Sequence, residues 1–439
     1  MDLFAPISSR DTRAPRLGRP RYASPLEVVR FVGPRDDVLV EAYRRLHGRD
    51  AEGRRRAPAV FEHAGPRERI YFDPAKTRCA IVTCGGLCPG INNVIRAIVM
   101  EAHWQYGVAG ILGVRYGLEG FIPAYGHAPL ELTPESVTHI HEFGGTVLGT
   151  SRGPQDPGAI LDTLKDWGVN VLFMIGGDGT MRAADTVIAE AARRRAKVSV
   201  IGVPKTIDND IDFVGRTFGF DTAVGKACEA VGCAHIEAMG VCNGVGVVKV
   251  MGRNAGYIAA EATLASRDVN FVLVPEADFD LEGPHGFLEA LRARLAAKHH
   301  AVVVVAEGAG QRYVTESGVT DASGNPKLGD IGLFLVSAIR AHLAAAGMDH
   351  TIKYIDPSYI VRSVPANSTD AVYCGFLGAH SVHAAMSGRT GCMVGQWNGR
   401  YVHIPIALAT RRKKCINIRS NYWRHVLEST GQPPLLAEG

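Results

Sequence analysis

Several side chains suited to acid–base chemistry follow one another in a short polar segment, residues 204–210 (Pro-Lys-Thr-Ile-Asp-Asn-Asp), directly after an apolar run. If this segment is extended, Thr206, Asp208 and Asp210 share one side, because alternate residues of an extended chain lie on the same face. Two carboxylates so close raise the pKa of one of them towards that of a general base, and Lys205 supplies a compensating positive charge. A base and a cation are what phosphoryl transfer requires, whereas a turn that hydrogen-bonds its own backbone is the structural alternative.

A second segment places an acidic side chain inside a glycine turn, residues 176–180 (Gly-Gly-Asp-Gly-Thr), after the apolar run 171–175. A carboxylate repels a bare phosphate, but Asp178 could hold a Mg²⁺ ion, which binds a few carboxylates together with substrate phosphates. In the structural alternative Asp178 only caps the next helix, which explains the carboxylate but not the flanking glycines. The turn therefore predicts a nucleotide-phosphate site with Asp178 as the metal ligand.

A third glycine-rich turn, residues 85–90 (Gly-Gly-Leu-Cys-Pro-Gly), lies between an apolar run and a helix predicted to begin at Ile91. Backbone N–H groups at a helix N-terminus can bind phosphate. A tight strand-to-helix turn has the same appearance, so this segment alone is a weak signal.

The composition is that of a globular protein: of 439 residues, 46% are hydrophobic and 21% charged, which excludes a disordered or fibrous chain. The net charge of +4 is too small and dispersed to favour nucleic-acid binding. The apolar runs are far shorter than the ~20 residues of a membrane helix. Nine cysteines and no recognisable signal peptide favour free thiols in a reducing compartment, so we expect a cytoplasmic protein.

Strands and helices are predicted to alternate from residue 78 onwards. Short runs rich in Val and Ile predict buried strands at 79–84, 171–175, 198–203, 245–251, 271–274 and 301–306. Longer amphipathic stretches predict helices at 91–106, 181–196, 222–239, 255–266, 284–297, 329–346 and 369–386. A hairpin is predicted at 392–406, with Asn398-Gly399 as its turn. Such alternation indicates parallel sheets, whose ligands bind beyond the carboxyl ends of the strands.

The motifs together resemble those of the 6-phosphofructokinases. Seven of them occur in the family's order, from about Cys79 towards the C-terminal STGQP: TCGGLCPGINN, GTSRG, GGDGT, PKTIDND, TFGFDTAV, VKVMGRNAGYIA and AEGAG. KYIDPSYIVRS makes the chain most similar to the long plant and trypanosomatid-like ATP-dependent branch. The resemblance implies a glycolytic kinase that phosphorylates D-fructose 6-phosphate to fructose 1,6-bisphosphate, with ATP as donor and Mg²⁺ as cofactor.

The resemblance also implies a role for each matching residue. Asp208 is expected to be the general base for the sugar 1-hydroxyl, with Thr206 and Asp210 beside it in contact with the sugar. The donor phosphates are expected to contact Gly85, Arg152, Gly153, Gly177, Asp178, Gly179 and Thr180. The sugar phosphate is expected to contact Met251, Gly252, Arg253, Glu307, Lys353, Tyr359 and Arg362. Arg253 is further expected to stabilise charge on the transferring group, since an arginine suits bidentate phosphate contact.

Two positions bear on the donor. The family uses either ATP or pyrophosphate, and Gly179 is the small residue typical of ATP users, where pyrophosphate users usually carry Asp. Lys205 is shared with pyrophosphate users, but the long ATP-dependent branch combines Gly with Lys, as this chain does. Because a carboxylate at position 179 would crowd and repel the α-phosphate, we expect ATP.

The predicted fold is α/β, with two Rossmann-like parallel or mixed sheets, helices on both faces and the active site in the cleft between them. The predicted ranges are an N-terminal extension (1–75, with a short helix at 36–46), a larger nucleotide-binding domain (76–240), a sugar-phosphate-binding domain (241–390) and a C-terminal hairpin and tail (391–439). A pyrophosphate-dependent enzyme and a catalytically silent regulatory subunit remain as alternatives. We expect a homo-oligomer, tetramer or dimer, that binds neither nucleic acid nor membrane.

Overall fold

The structure is a computed structural model that describes residues 7, 11–42, 58–314, 319–320 and 326–433. The chain divides into two compact units. Unit 1 comprises Met1–Thr206, Ile211–Gly219 and Pro365–Lys413, and unit 2 comprises Ile207–Asp210, Phe220–Val364 and Lys414–Gly439. Within the described ranges, no helix combines the length and the apolar character needed to span a bilayer.

The strands of the described residues form three sheets. The strands are β1 (Tyr22–Ala23), β2 (Asp37–Leu39), β3 (Val60–His63), β4 (Arg69–Ile70), β5 (Arg78–Thr83), β6 (Gly110–Val114), β7 (Leu130–Glu131), β8 (Val171–Gly176), β9 (Ser199–Pro204), β10 (Gly244–Val250), β11 (Phe271–Leu273), β12 (His300–Ala306), β13 (Thr351–Ile355), β14 (Cys392–Trp397) and β15 (Arg400–Pro405). Unit 1 holds a nine-stranded sheet, in the order β2-β3-β15-β14-β9-β8-β5-β6-β7, and the pair β1-β4, whereas unit 2 holds the sheet β11-β12-β10-β13.

Helices alternate with most of these strands. They are α1 (Ile91–Met100), α2 (Pro157–Asp166), α3 (Asp178–Arg193), α4 (Phe220–Met239), α5 (Tyr257–Ser266), α6 (Phe287–Lys298), α7 (Ile331–Ala345), α8 (Ile360–Ser363), α9 (Ser368–Met386), α10 (Ile406–Ala409) and α11 (Asn421–Thr430). A π-helical segment, Glu101–Tyr106, continues α1. The predicted α/β class with parallel and mixed sheets is therefore confirmed.

The centre of the large sheet is parallel and fully buried. Strands β14, β9, β8, β5 and β6 run parallel to one another, and every residue of β8 and β9 is buried. Continuous apolar runs suit this position because both faces of such a strand are covered. The carboxyl ends of β5, β8 and β9 therefore lie along one edge, where the glycine-rich loops after β5 and β8 and the polar segment after β9 begin.

The sheet of unit 2 is parallel throughout. Its core includes Phe271, Phe287, Leu291 and Val303, all at most 2% exposed, and the rings of Phe271 and Phe287 meet edge to face at 5.4 Å. Strand β10 lies between β12 and β13, so the loops that follow these three strands begin at the same edge of the sheet.

The C-terminal hairpin is confirmed. Strands β14 and β15 pair antiparallel from Cys392 opposite Pro405 to Trp397 opposite Arg400. The two turn residues, Asn398 and Gly399, have φ of 47° and 72°, as a two-residue hairpin with left-handed turn residues requires.

The predicted ranges and the compact units divide the chain at different places. Helix α4 groups with unit 2 because it packs on α5 and β10, and α9 groups with unit 1 because it packs on α1. The hairpin joins the large sheet through β14 and β9, whereas the tail from Lys414 onwards belongs to unit 2.

Three local predictions differ from the structure. The helix predicted from Asp36 is wrong over 37–39, which form β2 and pair with β3; residues 43–46 lie outside the described residues. Helix α6 begins at Phe287 and not at Pro284, because residues 283–286 form a turn closed by the Gly286 N–H and the Gly283 carbonyl at 3.1 Å. Strands β6 and β13 were not predicted.

Candidate active site

The turn after β8 is built so that its glycines bring the backbone close to helix α3. A Cβ at Gly176 would lie 2.1 Å from the Thr180 hydroxyl, so no other residue fits there without displacement. Gly177 is the N-cap, and its carbonyl accepts from the N–H groups of Thr180 and Met181 at 3.0 Å each. Asp178 lies in the first helical turn, where a negative charge is favourable at the helix N-terminus.

The Asp178 carboxylate suits a metal ion whose other ligands are water molecules and substrate phosphates. Its Oδ2 accepts from Arg182 Nε at 3.1 Å, and the side chain is 27% exposed. Among the described residues, no group of three His, Cys, Asp or Glu side chains could hold a metal ion. A single accessible carboxylate fits Mg²⁺ bound chiefly through nucleotide phosphates and water, and it does not fit a metal held by protein ligands alone.

Lys205 joins two of the predicted loops within unit 1. The side chain follows β9, is only 5% exposed, and its Nζ donates to the Gly86 carbonyl at 2.6 Å. The Lys205 N–H donates to the Gly176 carbonyl at 2.9 Å. The loops after β5, β8 and β9 therefore lie beside one another, as their order in the sheet predicts.

The segment around residue 151 packs against the loop that follows β5. The Gly85 N–H donates to the Ser151 carbonyl at 3.0 Å, and the Thr150 hydroxyl donates to the Gly85 carbonyl at 2.7 Å. Gly153 has φ of 98°, a backbone conformation that favours glycine, and the preceding Arg152 side chain is exposed. The structure thus brings the predicted donor-phosphate residues 85, 153, 177 and 178 onto neighbouring loops of one unit.

Gly179 differs from the packed glycines beside it. It is exposed, lies in the first turn of α3, and a Cβ built on it would meet nothing within 4 Å. Its smallness is therefore not required by packing inside the chain, and the space above it is open to a ligand.

The polar segment 204–210 is not uniformly extended. Asn209 has φ of 54°, so the chain turns there and the simple alternation of side chains predicted for this segment does not hold. Asn209 is 5% exposed and accepts from Lys414 Nζ at 2.9 Å, while the Asp210 carbonyl accepts from the Lys414 N–H at 3.0 Å. Asp208, which directly precedes these anchored residues, is partly exposed, and the Thr206 carbonyl accepts from the Thr217 hydroxyl at 2.7 Å.

In unit 2, the loop after β10 (Met251-Gly252-Arg253) packs directly on the loop after β12. The Gly308 N–H donates to the Gly252 carbonyl at 3.1 Å, and Gly252 has φ of 131°. A Cβ at Gly308 would lie 1.9 Å from the Arg253 carbonyl oxygen. This close backbone contact places Glu307, the residue before Gly308, beside the predicted sugar-phosphate loop.

Glu307 lies among several charged side chains of unit 2. Burial raises the pKa of Glu307, and the positive charges of Arg253, Lys249 and Arg362 oppose that rise. Arg362 also lies over the Tyr359 ring, 5.1 Å from its centroid, and Tyr359 is 74% exposed. The structure thus brings Glu307, Arg253 and Arg362 together, and the exposed Tyr359 ring lies against Arg362.

Lys353 does not belong to this group within one chain. It lies inside β13 opposite Gly246, five residues before Met251, which corresponds to about 17 Å along the strand. Its Nζ lies 3.3 Å from a Glu237 carboxylate oxygen at the end of α4.

Lys249 is a charged residue of this region that the sequence reading missed. It was counted as part of an apolar strand, although a lysine near the end of such a strand needs partners and is a usable signal. Its Nζ lies 2.9 Å from carboxylate oxygens of both Asp330 and Asp356.

These features are typical of α/β proteins whose phosphate-bearing ligands bind beyond the carboxyl ends of parallel strands. A family model described as phosphofructokinase matches residues 78–385, so the chain belongs to the phosphofructokinase family.

Curated relatives extend this similarity over most of the chain. It is 47% identical over 410 residues to the ATP-dependent 6-phosphofructokinase of Borreliella burgdorferi, covering 92% of this chain and 91% of that protein. It is 47% identical over 438 residues to the ATP-dependent 6-phosphofructokinase of Amycolatopsis methanolica, covering 96% and 95%. The solved pyrophosphate-dependent phosphofructokinase of Marinobacter aquaeolei has a TM-score of 0.66 at 20% identity, covering 83% and 92%, and supports the fold alone.

Proposed function

We propose that this chain transfers the terminal phosphoryl group of ATP to the 1-hydroxyl of fructose 6-phosphate, which gives fructose 1,6-bisphosphate and ADP. The names of relatives that are 47% identical over more than nine-tenths of the chain support this reaction. The loops of unit 1 offer backbone N–H groups and a helix N-terminus for phosphates, and those of unit 2 offer arginines and a carboxylate for a sugar phosphate.

The donor phosphates are proposed to bind the neighbouring loops of unit 1, at Gly85, Arg152, Gly153, Gly177, Gly179 and Thr180. Asp178 would hold a Mg²⁺ ion that, when bound, neutralises the charge on the donor phosphate oxygens. The ion pair with Arg182 orients the Asp178 carboxylate. Its partial exposure allows the ion to enter together with the nucleotide.

Asp208 is proposed as the general base. It takes the proton of the sugar 1-hydroxyl as that oxygen bonds to the terminal phosphorus of ATP, the bond to the bridging oxygen breaks, and ADP leaves with the electron pair. Asn209 and Asp210, the two residues that follow Asp208, are anchored by Lys414, which limits the positions that Asp208 can adopt. Thr206 and Asp210 are proposed to contact the sugar.

The acceptor is proposed to bind the loops of unit 2. Glu307 accepts from sugar hydroxyls, Arg362 and Tyr359 frame the 6-phosphate, and Met251 and Gly252 contact the sugar phosphate. Arg253 contacts the sugar phosphate and stabilises the charge of the transferring group, since preorganised cations are the main catalytic device in phosphoryl transfer.

The open space at Gly179 is the observation in this structure that carries the choice of ATP. Because no atom beyond its chain neighbours and the adjacent helix backbone lies within 4 Å of a Cβ built there, the position can accommodate a nucleotide next to the metal carboxylate. A carboxylate at that position would repel the α-phosphate of ATP, which pyrophosphate lacks.

The test compares ATP with pyrophosphate as donors for fructose 6-phosphate, in the wild type and in Gly179→Asp. We expect turnover with ATP in the wild type and loss of ATP use in the variant. Gly225→Asp is the matched control, since Gly225 is also exposed, helical and without neighbours around its Cβ position. Full ATP activity in Gly179→Asp would contradict the steric argument, and no turnover by the folded wild type would favour a silent subunit.

We further propose a cytoplasmic homo-oligomer, either a tetramer or a dimer. Sedimentation of the purified full chain tests the assembly, and a monomer at working concentrations would contradict it.

A further inference from the structure

Lys249 occupies an unusual place for a lysine. It lies in β10, two residues before the Met251-Gly252-Arg253 loop, among valines that are fully buried, and its own side chain is only 12% exposed. Burial lowers the pKa of Lys249, but hydrogen bonds from its ammonium group to Asp330 and Asp356 outweigh burial and raise it. The ammonium group is therefore held charged by two carboxylates.

The first of these carboxylates is fixed by its own contacts. Asp330 is the N-cap of α7, and its Oδ1 accepts from the Leu333 N–H at 3.1 Å and from the Tyr354 hydroxyl at 3.2 Å. A capped helix and a strand tyrosine hold this side chain in place. It therefore provides a fixed point to which Lys249 is tied.

The second carboxylate organises the segment that leads to the proposed 6-phosphate residues. Asp356 Oδ1 accepts from the Ser358 N–H at 3.1 Å and also from the Ser358 hydroxyl. Tyr359 follows at once, and α8 carries Arg362. The conformation of residues 356–358 therefore determines the positions of Tyr359 and Arg362, which follow them in the chain.

We infer that Lys249 is a positioning residue for the sugar-phosphate acceptor, acting through Asp356 to hold the segment that carries Tyr359 and Arg362 against the loop of Arg253. This inference rests on the proposed function. The ammonium group of Lys249 is occupied by its two carboxylate partners. Contact with the phosphate of the substrate is therefore assigned to Arg253 and Arg362. Without the charge of Lys249, Asp330 and Asp356 face each other as like charges, so the 356–358 segment moves away.

The test replaces Lys249 with Met, which keeps the length of the side chain but removes the charge. We expect the KM for fructose 6-phosphate to rise by about 10- to 100-fold, because small misplacements of a binding group cost this much. The KM for ATP should stay within about twofold. Lys298→Met is the matched control, since Lys298 is an exposed lysine at the end of α6 in the same unit.

Two further measurements separate positioning from a general loss of structure. Lys249→Arg should restore most of the affinity for fructose 6-phosphate, because an arginine can serve both carboxylates. In a double-mutant cycle with Asp356→Asn, the double variant should be less impaired than the two single effects combined, as residues in direct contact behave. Melting temperatures of all variants identify any that fail to fold.

Equal rises in both KM values, additive effects with Asp356→Asn, or no difference from Lys298→Met would overturn the inference. A wild-type chain without turnover on ATP and fructose 6-phosphate would contradict the proposed function instead. An active wild type with an unaltered Lys249→Met variant would contradict the role of Lys249 alone.

Discussion

One pair of glycines in each unit follows parallel strands, and the two pairs are there for different reasons. In unit 1, a Cβ at Gly179 would meet nothing within 4 Å, and one at Gly85 would meet only Lys205 Nζ at 3.9 Å. In unit 2, a Cβ at Gly308 would lie 1.9 Å from the Arg253 carbonyl oxygen, and one at Gly252 would lie 2.7 Å from the Ala255 carbonyl oxygen. The first pair leaves space beside the backbone, whereas the second pair lets two backbone segments touch.

This difference matches the way each unit offers charge to a ligand. Unit 1 presents backbone N–H groups and a helix N-terminus, with Asp178 as its accessible carboxylate. Unit 2 presents long charged side chains, Arg253, Glu307 and Arg362, on loops that are packed together. Substitution of Gly179 should therefore alter ligand preference at little cost in stability, whereas substitution of Gly308 or Gly252 should also destabilise the chain.

The largest effect is expected for Asp208→Asn, in the unit that offers charged side chains to the ligand. This substitution keeps the shape of the side chain but removes its basicity. We expect kcat to fall by about 10²–10⁴, the usual contribution of general base catalysis, with little change in the KM for ATP. Steady-state kinetics over a range of pH provide the measurement. Asp349→Asn, an exposed residue of the same unit, is the control, and a fall in kcat of less than about tenfold would exclude Asp208 as the base.

The second prediction concerns stability in unit 2. Gly308→Ala places a methyl group against the Arg253 carbonyl, so the two loops must separate at a cost of about 3 kcal/mol. For a unit of this size the melting temperature should fall by about 6–12 °C, which differential scanning calorimetry can measure. An unchanged melting temperature would show that the loops are not packed as tightly as the structure indicates.

Much of the fold followed from the sequence because the central strands are continuous apolar runs. Strands β8 and β9 are buried on both faces, and their hydrophobic runs end where the polar loops begin. Strand β13 was missed because it is an edge strand with no fully buried residue, in which Lys353 and Tyr354 interrupt the pattern. The N-terminal β2 was missed because its pairing with β3 joins segments that are distant in sequence.

The site was predicted less completely than the fold. Motif order identified the loops, but nothing in the sequence distinguishes Gly179, which is open, from Gly308, which is packed, because that depends on which backbone lies opposite. The turn at Asn209 and the pairing of Lys249 with Asp330 and Asp356 likewise depend on contacts between distant segments. A residue type shows what chemistry is available, whereas tertiary contacts decide which of it is used.

Buried titratable groups in the two units give a third prediction. Burial would raise the pKa values of Asp330 and Asp356, but their hydrogen bonds lower them, so their stabilisation is lost only below about pH 3.8. In unit 1, burial and then the charge of His63 lower the pKa of His380 to about 4 from 6.5. The unfolded chain therefore takes up a proton first, and stability falls as the pH drops below 6.5.

His380→Phe should remove this part of the acid sensitivity, since a phenyl ring can keep the ring contacts with Phe376 and Tyr401. At about pH 5 the variant should retain about 2 kcal/mol more of its neutral-pH stability than the wild type does. Chemical denaturation at the two pH values measures this difference. His285→Phe, on an exposed loop of unit 2, should show no such gain, and parallel pH profiles for wild type and His380→Phe would refute the assignment.

The smallest effect is expected for Gly179→Ala, the counterpart of Gly308→Ala on the open loop. The new methyl group meets no protein atom, and alanine is favoured over glycine in a helix by up to about 1 kcal/mol, so the melting temperature should stay the same or rise by about 2–4 °C. An uncharged methyl does not repel the nucleotide, so ATP use should persist with a KM within about threefold of wild type. If Gly179→Ala instead melts as early as Gly308→Ala, the open loop is in fact packed, and the contrast between the two units fails at the position that carries the choice of donor.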